Sequence, residues 1–271
     1  MKNKRAPKPL KDARKNPGKR PHASGRGAPR KDAGGVWLYG RHAVAAALAN
    51  PAREVKRVVA TRNAAEWLAA SSAAQGALAR LEDARPEAID HLLHQGAVHQ
   101  GLAALAEDLP HRRLEDACDP ADANRPVVVL DQITDPQNIG ALFRSAAAFG
   151  ARAVIVQDRR TPPLSGALAK AAAGAIEIVP CVSVVNIARA LEALRDLGYF
   201  CAGLAGEADD DVRSLPAVPI ALVMGAEGAG LRQLVGATCD ARYRIPITSN
   251  VDSLNVSNAA AIALYEIQRN R

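Results

Sequence analysis

The strongest constraint on this chain lies in its second half, where short apolar runs alternate with helical stretches. The runs are Val127–Leu130, Ala153–Val156, Ile176–Val179 and Ile220–Met224. Each is short and uniformly apolar, the pattern expected of strands buried on both faces of a parallel sheet. The stretches between them, Gln137–Phe149, Ser165–Ala172 and Asn186–Leu197, read as helices. In the first of these, Ile139, Leu142, Phe143 and Ala146 fall at i, i+3, i+4 and i+7, the spacing of a helix facing a core. A last helix over Asn255–Arg269 sets Val256, Ala260, Ala263, Leu264 and Ile267 on one side. The expected class is α/β, with a mostly parallel sheet covered on both faces.

The first half reads as a smaller mixed α/β domain. A helix is expected over Arg41–Ala49, ended by Asn50–Pro51, then a strand over Val55–Ala60 and a helix over Ala64–Ala70. Pro86–Leu93 reads as helix and Gly101–Ala106 as a short strand. Leu114–Arg125, with Asp119–Pro120 and several acids, reads as a linker. The expected organisation is a tail over 1–34, a small domain over 35–113, a linker over 114–125 and a larger domain over 126–271.

Charge is distributed unevenly. Residues 1–34 hold 12 of the 35 lysines and arginines against Asp12 and Asp32 alone, so this segment is near +10 and the remainder near −3. The segment is rich in Pro and Gly and buries too little to offset its ordering entropy, so it is expected to stay disordered. Such an arm is either a solubilising tail or one drawn to a polyanion, and the second reading points to nucleic acid. Aromatic content of 3% argues against gripping single-stranded bases mainly by stacking. No apolar run is long enough to cross a bilayer and the amino terminus is too polar for a secretory signal, so a cytoplasmic chain without a membrane partner is expected. Cys118, Cys181, Cys201 and Cys239 lack metal-ligand spacing and read as reduced, mostly buried thiols. His91, His94 and His99 cluster without a companion ligand, so no metal is expected.

Three segments carry chemistry. Asp131–Arg144 (DQITDPQNIGALFR) follows the run Val127–Leu130 directly, at the carboxyl end of a strand, where α/β proteins build sites. Asp135–Pro136 is a natural helix start, which puts Asn138 and Arg144 about 9 Å apart along the axis. Asn138 reads either as a cap or as a site residue, and Arg144 either as a surface cation or as a site residue. Leu222–Leu231 (LVMGAEGAGL) has glycines after a buried strand in the order G-x-x-G-x-G, which is neither the dinucleotide nor the Walker pattern. Those glycines either let a ligand approach the backbone or simply make a turn; Glu227 among them needs a partner if it is covered. Ile245–Asn258 (IPITSNVDSLNVSN) ends a strand at Pro246 and enters the last helix through Ser253, Asn255 and Ser257, more cap candidates than one helix uses.

Together these segments resemble, in order, spacing and position, the three signature motifs of the SpoU/TrmH family of RNA ribose methyltransferases. The resemblance covers about residues 125–271, and Met224–Gly228 (MGAEG) with Ser253–Ser257 (SLNVS) makes it specific. Pro163, Lys170, Gly174, Glu177, Pro180 and Asn186–Arg189 resemble the branch that methylates a guanosine of 23S ribosomal RNA, and Tyr39–Val44 (YGRHAV) resembles the start of its substrate-binding domain. Asn250 and Asp252 flank Val251 where relatives often carry smaller residues.

The resemblance implies a SPOUT fold, an α/β domain tied in a deep trefoil knot and used as a homodimer, although ordinary topology rules disfavour knots. It implies S-adenosyl-L-methionine as methyl donor, S-adenosyl-L-homocysteine as product, and methylation of a guanosine ribose 2′-hydroxyl in 23S ribosomal RNA. By motif position, Gly225, Ile245 and Leu254 would contact the cofactor, and Asn138, Arg144, Glu227, Ser253 and Asn255 would form the catalytic neighbourhood. In the family mechanism the motif-one arginine, here Arg144, is the general base. A guanidinium stays protonated at ordinary pH, so stabilisation of the developing alkoxide is the favoured role, with Asn138 and Glu227 orienting it. Two alternatives stand beside this reading: the same chemistry on transfer RNA, and a non-catalytic RNA-binding or ribosome-assembly factor of the same fold.

Overall fold

The chain is described from a computed structural model covering residues 34–71, 81–119, 125–248 and 251–270. Apart from Gly34, the expected disordered tail lies outside the described residues, as does Asn250.

The first half builds β1 (Val36–Tyr39), α1 (Arg41–Ala49), β2 (Val55–Ala60), α2 (Arg62–Ala69), β3 (Leu81–Asp83), α3 (Pro86–Leu92) and β4 (Leu102–Ala106). Its four-stranded sheet runs β1-β4-β2-β3; β4 is antiparallel to both neighbours, and β2 and β3 are parallel. The expected small mixed domain is therefore present.

The second half contains α4 (Leu114–Ala117), β5 (Val127–Leu130), α5 (Pro136–Ala148), β6 (Ala153–Gln157), α6 (Gly166–Ala172), β7 (Cys181–Val184) and α7 (Ile187–Asp196). It continues through β8 (Phe200–Leu204), β9 (Asp210–Asp211), β10 (Ile220–Met224), α8 (Gln233–Thr238), β11 (Ala241–Arg244) and α9 (Val256–Arg269). The sheet order is β7-β6-β5-β10-β8-β11-β9, and every neighbouring pair is parallel. Both faces are covered, as the uniform runs require. Val128 and Leu130 join a core with Ile139, Phe143 and Leu264, whereas Val127 and Val129 join another with Leu191, Leu194 and Val235.

Two expectations are corrected. Ile176–Val179 is not a strand. Ala173 and Gly174 take left-handed conformations (φ 49° and 93°), and the chain then makes a 3₁₀ turn over Ala175–Glu177. Ile176 and Val179, three residues apart, are buried while Ile178 is 70% exposed, so the run plugs the core on one side of a turn. The strand forms after Pro180. Leu114–Arg125 is likewise not a plain linker: Leu114, Ala117 and Cys118 pack into the core with Val127, Val129 and Ile155.

The two sheets do not stand apart. The core that holds Val128 and Phe143 also contains Leu38, Val44 and Leu102 of the first half. Helix α1 packs on α6 and the turn after it. Gly174 is needed there, because a Cβ would lie 2.5 Å from the Cβ of Ala46. Arg53, after α1, and Glu177 form an ion pair at 2.6 Å whose side chains are 1% and 2% exposed.

Helix α5, which carries the first motif, is seated by a similar close approach. A Cβ on Gly140 would lie 2.5 Å from Ala171 Cβ and 2.8 Å from the Leu168 carbonyl oxygen of α6. Replacing a helical glycine by alanine favours the helix by about 1 kcal/mol, and overpacking opposes this by about 1–3 kcal/mol. Gly140→Ala should therefore be net destabilising, with a lower urea midpoint at unchanged slope. A raised midpoint would show that α5 and α6 have room to part.

Candidate active site

In-register pairing sets Leu130 of β5 and Leu204 of β8 on either side of Met224 of β10. Tyr243 of β11 pairs with Leu204 in turn, so four strands end at one level. The chain runs outward from β5 to β7, then crosses to β8 and returns to β10, so the order reverses between β5 and β10. Crevices at such switch points are where open parallel sheets bind ligands. On the other side of β10 from β5 lies a cavity of about 490 Å³, walled by the ends of β8 and β10 and by the loops after β10 and β11.

The glycine segment after β10 is a closed turn. Ala226 N–H donates to the Gly230 carbonyl oxygen at 3.1 Å, and Gly230 N–H donates to the Ala226 carbonyl oxygen at 2.8 Å. Gly225 has no room for a side chain, since a Cβ would lie 2.2 Å from the Gly230 carbonyl carbon. The segment therefore both makes a turn and presents bare backbone to the cavity.

Sequence reasoning missed what anchors this turn. Asp131, fully buried, donates its N–H to the Met224 carbonyl oxygen at 2.8 Å. Its carboxylate accepts from the Arg232 backbone N–H at 3.0 Å and from Arg232 Nε at 2.8 Å. Burial of a carboxylate demands such partners. A charged residue directly after a fully apolar strand was the signal that could have found it. The wall supplied by Leu204–Glu207 was also missed, because the strand leading to it (FCAGL) carries a glycine and no β-branched residue.

The third segment resolves its surplus of caps. Asn255 caps α9: its Oδ1 accepts from Ser257 N–H at 3.0 Å, from Asn258 N–H at 3.4 Å and from Ser257 Oγ at 2.6 Å. Its Nδ2 donates to Asn138 Oδ1 at 2.9 Å. Asn138 is not a cap, because Asp135 fills that place by accepting the Asn138 N–H at 3.0 Å. Ser253 takes no part in capping and lines the cavity.

Of the eight residues singled out from sequence, Gly225, Glu227, Ile245, Ser253 and Leu254 line this one cavity. Asn138 and Asn255 adjoin it through their mutual bond. Arg144 is not brought in: it is exposed on α5 and does not line the cavity of its own chain. Glu227 is exposed as well, so it needs no buried partner.

The charged groups lining the cavity are Glu207, Glu227 and Asp252, all acidic, among apolar walls that include Met224, Ile245 and Val256. Such a lining suits a ligand with positive charge and apolar parts and repels a polyphosphate. Elsewhere, His94 Nε2 bonds the Tyr39 hydroxyl at 2.8 Å and His99 Nε2 lies 3.3 Å from Asp90. Among the described residues no three His, Cys, Asp or Glu side chains group as metal ligands. The four cysteines are free thiols; burial pushes Cys118, Cys181 and Cys201 up to about 12 and Cys239 up to about 11.

Comparison with known proteins agrees with this geometry. The SpoU rRNA Methylase family profile matches residues 125–265, and the profile for RNA 2′-O ribose methyltransferase substrate binding matches residues 37–111. The chain is 37% identical over 242 residues to the 23S rRNA (guanosine-2′-O-)-methyltransferase RlmB of Vibrio parahaemolyticus, covering 87% of this chain and 97% of that protein. It is 40% identical over 238 residues to the protein of the same name from Ralstonia nicotianae, covering 86% and 95%. The SpoU methyltransferase AviRb of Streptomyces viridochromogenes, solved in complex with AdoMet, superposes with a TM-score of 0.72 at 26% identity over 88% of this chain and 91% of that one. An AdoMet-bound rRNA methyltransferase from Sinorhizobium meliloti gives 0.71 at 26% identity over 86% and 87%. Sequence motifs, strand-end cavity and relatives coincide: this chain belongs to the SpoU rRNA methylase family.

Proposed function

We propose that this chain transfers a methyl group from S-adenosylmethionine to the ribose 2′-hydroxyl of a guanosine in 23S ribosomal RNA, leaving S-adenosylhomocysteine. The observation that carries the reading is near full-length similarity to relatives of that activity, joined to an acid-lined cavity at the carboxyl ends of β8 and β10. S-adenosylmethionine supplies an electrophilic sulfonium methyl when bound. The carboxylates of Glu207, Glu227 and Asp252 favour its positive charge, Gly225 lets it meet bare backbone, and Ile245 and Leu254 offer apolar contact. The division into a substrate-binding domain over 35–113 and a methyltransferase domain over 126–271 belongs to the same reading and is supported by the two sheets.

Asn138 and Asn255, bonded to each other, hold the starts of α5 and α9 together beside the cavity and orient the acceptor ribose. Holding oxygen, methyl carbon and sulfur in line removes much of the entropic part of the barrier. Arg144 remains a cation and stabilises the charge developing on the 2′-oxygen. It stands outside the cavity of its own chain; α9 leaves Ile262 38% and Tyr265 53% exposed, with Tyr265 against Phe149 at the end of α5. These exposed apolar groups support a homodimer through α5 and α9, in which a second copy completes the site. The trefoil knot is supported by the path of the chain, which leaves β10 for β11 beyond β8 and returns as α9 to pack on α5 and β10. Among the described residues no helix is long and apolar enough to cross a membrane; ribosomal RNA as the substrate supports a cytoplasmic site of action.

Mapping ribose methylation across ribosomal and transfer RNA, with and without the gene, should show loss of one guanosine mark in 23S RNA. Loss of a transfer RNA mark would move the substrate, and no lost mark would leave an RNA-binding factor. Arg144→Ala should lower the turnover rate by about 10²-fold or more while calorimetric affinity for S-adenosylmethionine stays within about threefold; equal loss of both would make the residue structural. Ile262→Glu combined with Tyr265→Glu should halve the mass in sedimentation, and an unchanged mass would place the dimer contact elsewhere.

A further inference from the structure

Resting on the reading above, we propose that the buried pair Arg53–Glu177 is a positioning device: it fixes the angle between the two domains and so selects which nucleotide reaches the cavity. Arg53 belongs to the domain of residues 37–111 and Glu177 to that of residues 125–265. Arg53 Nη2 meets Glu177 Oε1 at 2.6 Å and Arg53 Nε lies 3.1 Å from both carboxylate oxygens. Arg53 Nη1 donates to the Glu107 carbonyl oxygen at 2.7 Å, and Asn50 Nδ2 donates to Glu177 Oε2 at 2.8 Å. All three guanidinium nitrogens and both carboxylate oxygens are therefore engaged, at 1% and 2% side-chain exposure.

A planar fork against a carboxylate is directional, and neither charge tolerates burial without the other. The arrangement thus exists at one relative orientation of the domains. A second tie crosses the same seam at the opposite end of α1: Lys170 of α6 donates to the Val98 carbonyl oxygen beside Gly40. Helix α1, nine residues long, separates the two ties by about 13 Å at the helical rise. Two points that far apart set an angle, where one would leave a pivot. RNA gripped by the first domain then meets the cavity of the second at a constant offset, and reaction rates fall steeply with small misplacements.

The test uses the full chain carrying Arg53→Met with Glu177→Leu, an apolar pair of similar volume that keeps the core filled, alongside Glu177→Gln alone. Nitroxide labels at Glu66→Cys and Glu192→Cys, both exposed positions, report the interdomain distance. In the double variant that distance distribution should broaden, and kcat/KM for RNA should fall about tenfold or more with methylation spreading to neighbouring nucleotides. Affinity for S-adenosylmethionine should stay within about twofold, since the cavity lies in one domain. An unchanged distance distribution, or the same single nucleotide methylated at the parental rate, would overturn the proposal. If the parental protein methylates no RNA, the functional reading fails, while the distance measurement still decides whether the pair sets the angle.

Discussion

Parallel, in-register pairing makes β5, β10 and β8 release the chain at the same level, and the site depends on that geometry. Residues 131–138, 225–232 and 245–255 are far apart in sequence and meet only because the strands that precede them end side by side. The Asp131 carboxylate then turns adjacency into a fixed shape. It joins the end of β5 to Arg232, two residues past the glycine turn and 101 positions later. A buried carboxylate with two charge-assisted bonds is stabilising only when both are made, so the turn has one favourable conformation against β5. The bond between Asn138 and Asn255 does the same for the two helices, 117 positions apart.

What was legible in sequence follows from what is local. The runs VVVL, AVIV and IALVM announced β5, β6 and β10 because burial on both faces leaves no polar position to confuse the pattern. The cap at Asp135 was legible for the same reason: it bonds three residues ahead. β11 (ARYR) near the sheet edge alternates exposed arginines with a buried tyrosine and carries little apolar signal. Ile176–Val179 has strand composition but sits between a left-handed Gly174 and Pro180, where backbone conformation overrides propensity. In the site, residue types announced a ligand loop, yet which asparagine caps and which serine faces the cavity depends on bonds formed across the fold.

The same distinction explains why Leu114–Arg125 looked like a tether between independent domains. Polar composition and Asp119–Pro120 are what a tether would show. The docking of the two halves, however, is written in single residues: Gly174 against Ala46, Lys170 against Val98, and Glu177 against Arg53, 124 positions away. A lone glutamate inside an apolar run is a weak sequence signal and a strong structural one. Once buried it commits the chain to supply a cation from elsewhere.

Charge separation within the methyltransferase domain completes the argument. The cavity wall is acidic at Glu207, Glu227 and Asp252, whereas Arg144, Arg159 and Arg160 are exposed outside it. A sulfonium donor is favoured by the first group and a phosphodiester chain by the second, so the two reactants approach from different sides without competing for one field. A guanidinium inside the acidic wall would be neutralised by it and lost to the acceptor. Its place on the exposed surface of α5, outside the cavity lining, keeps the cation available to RNA.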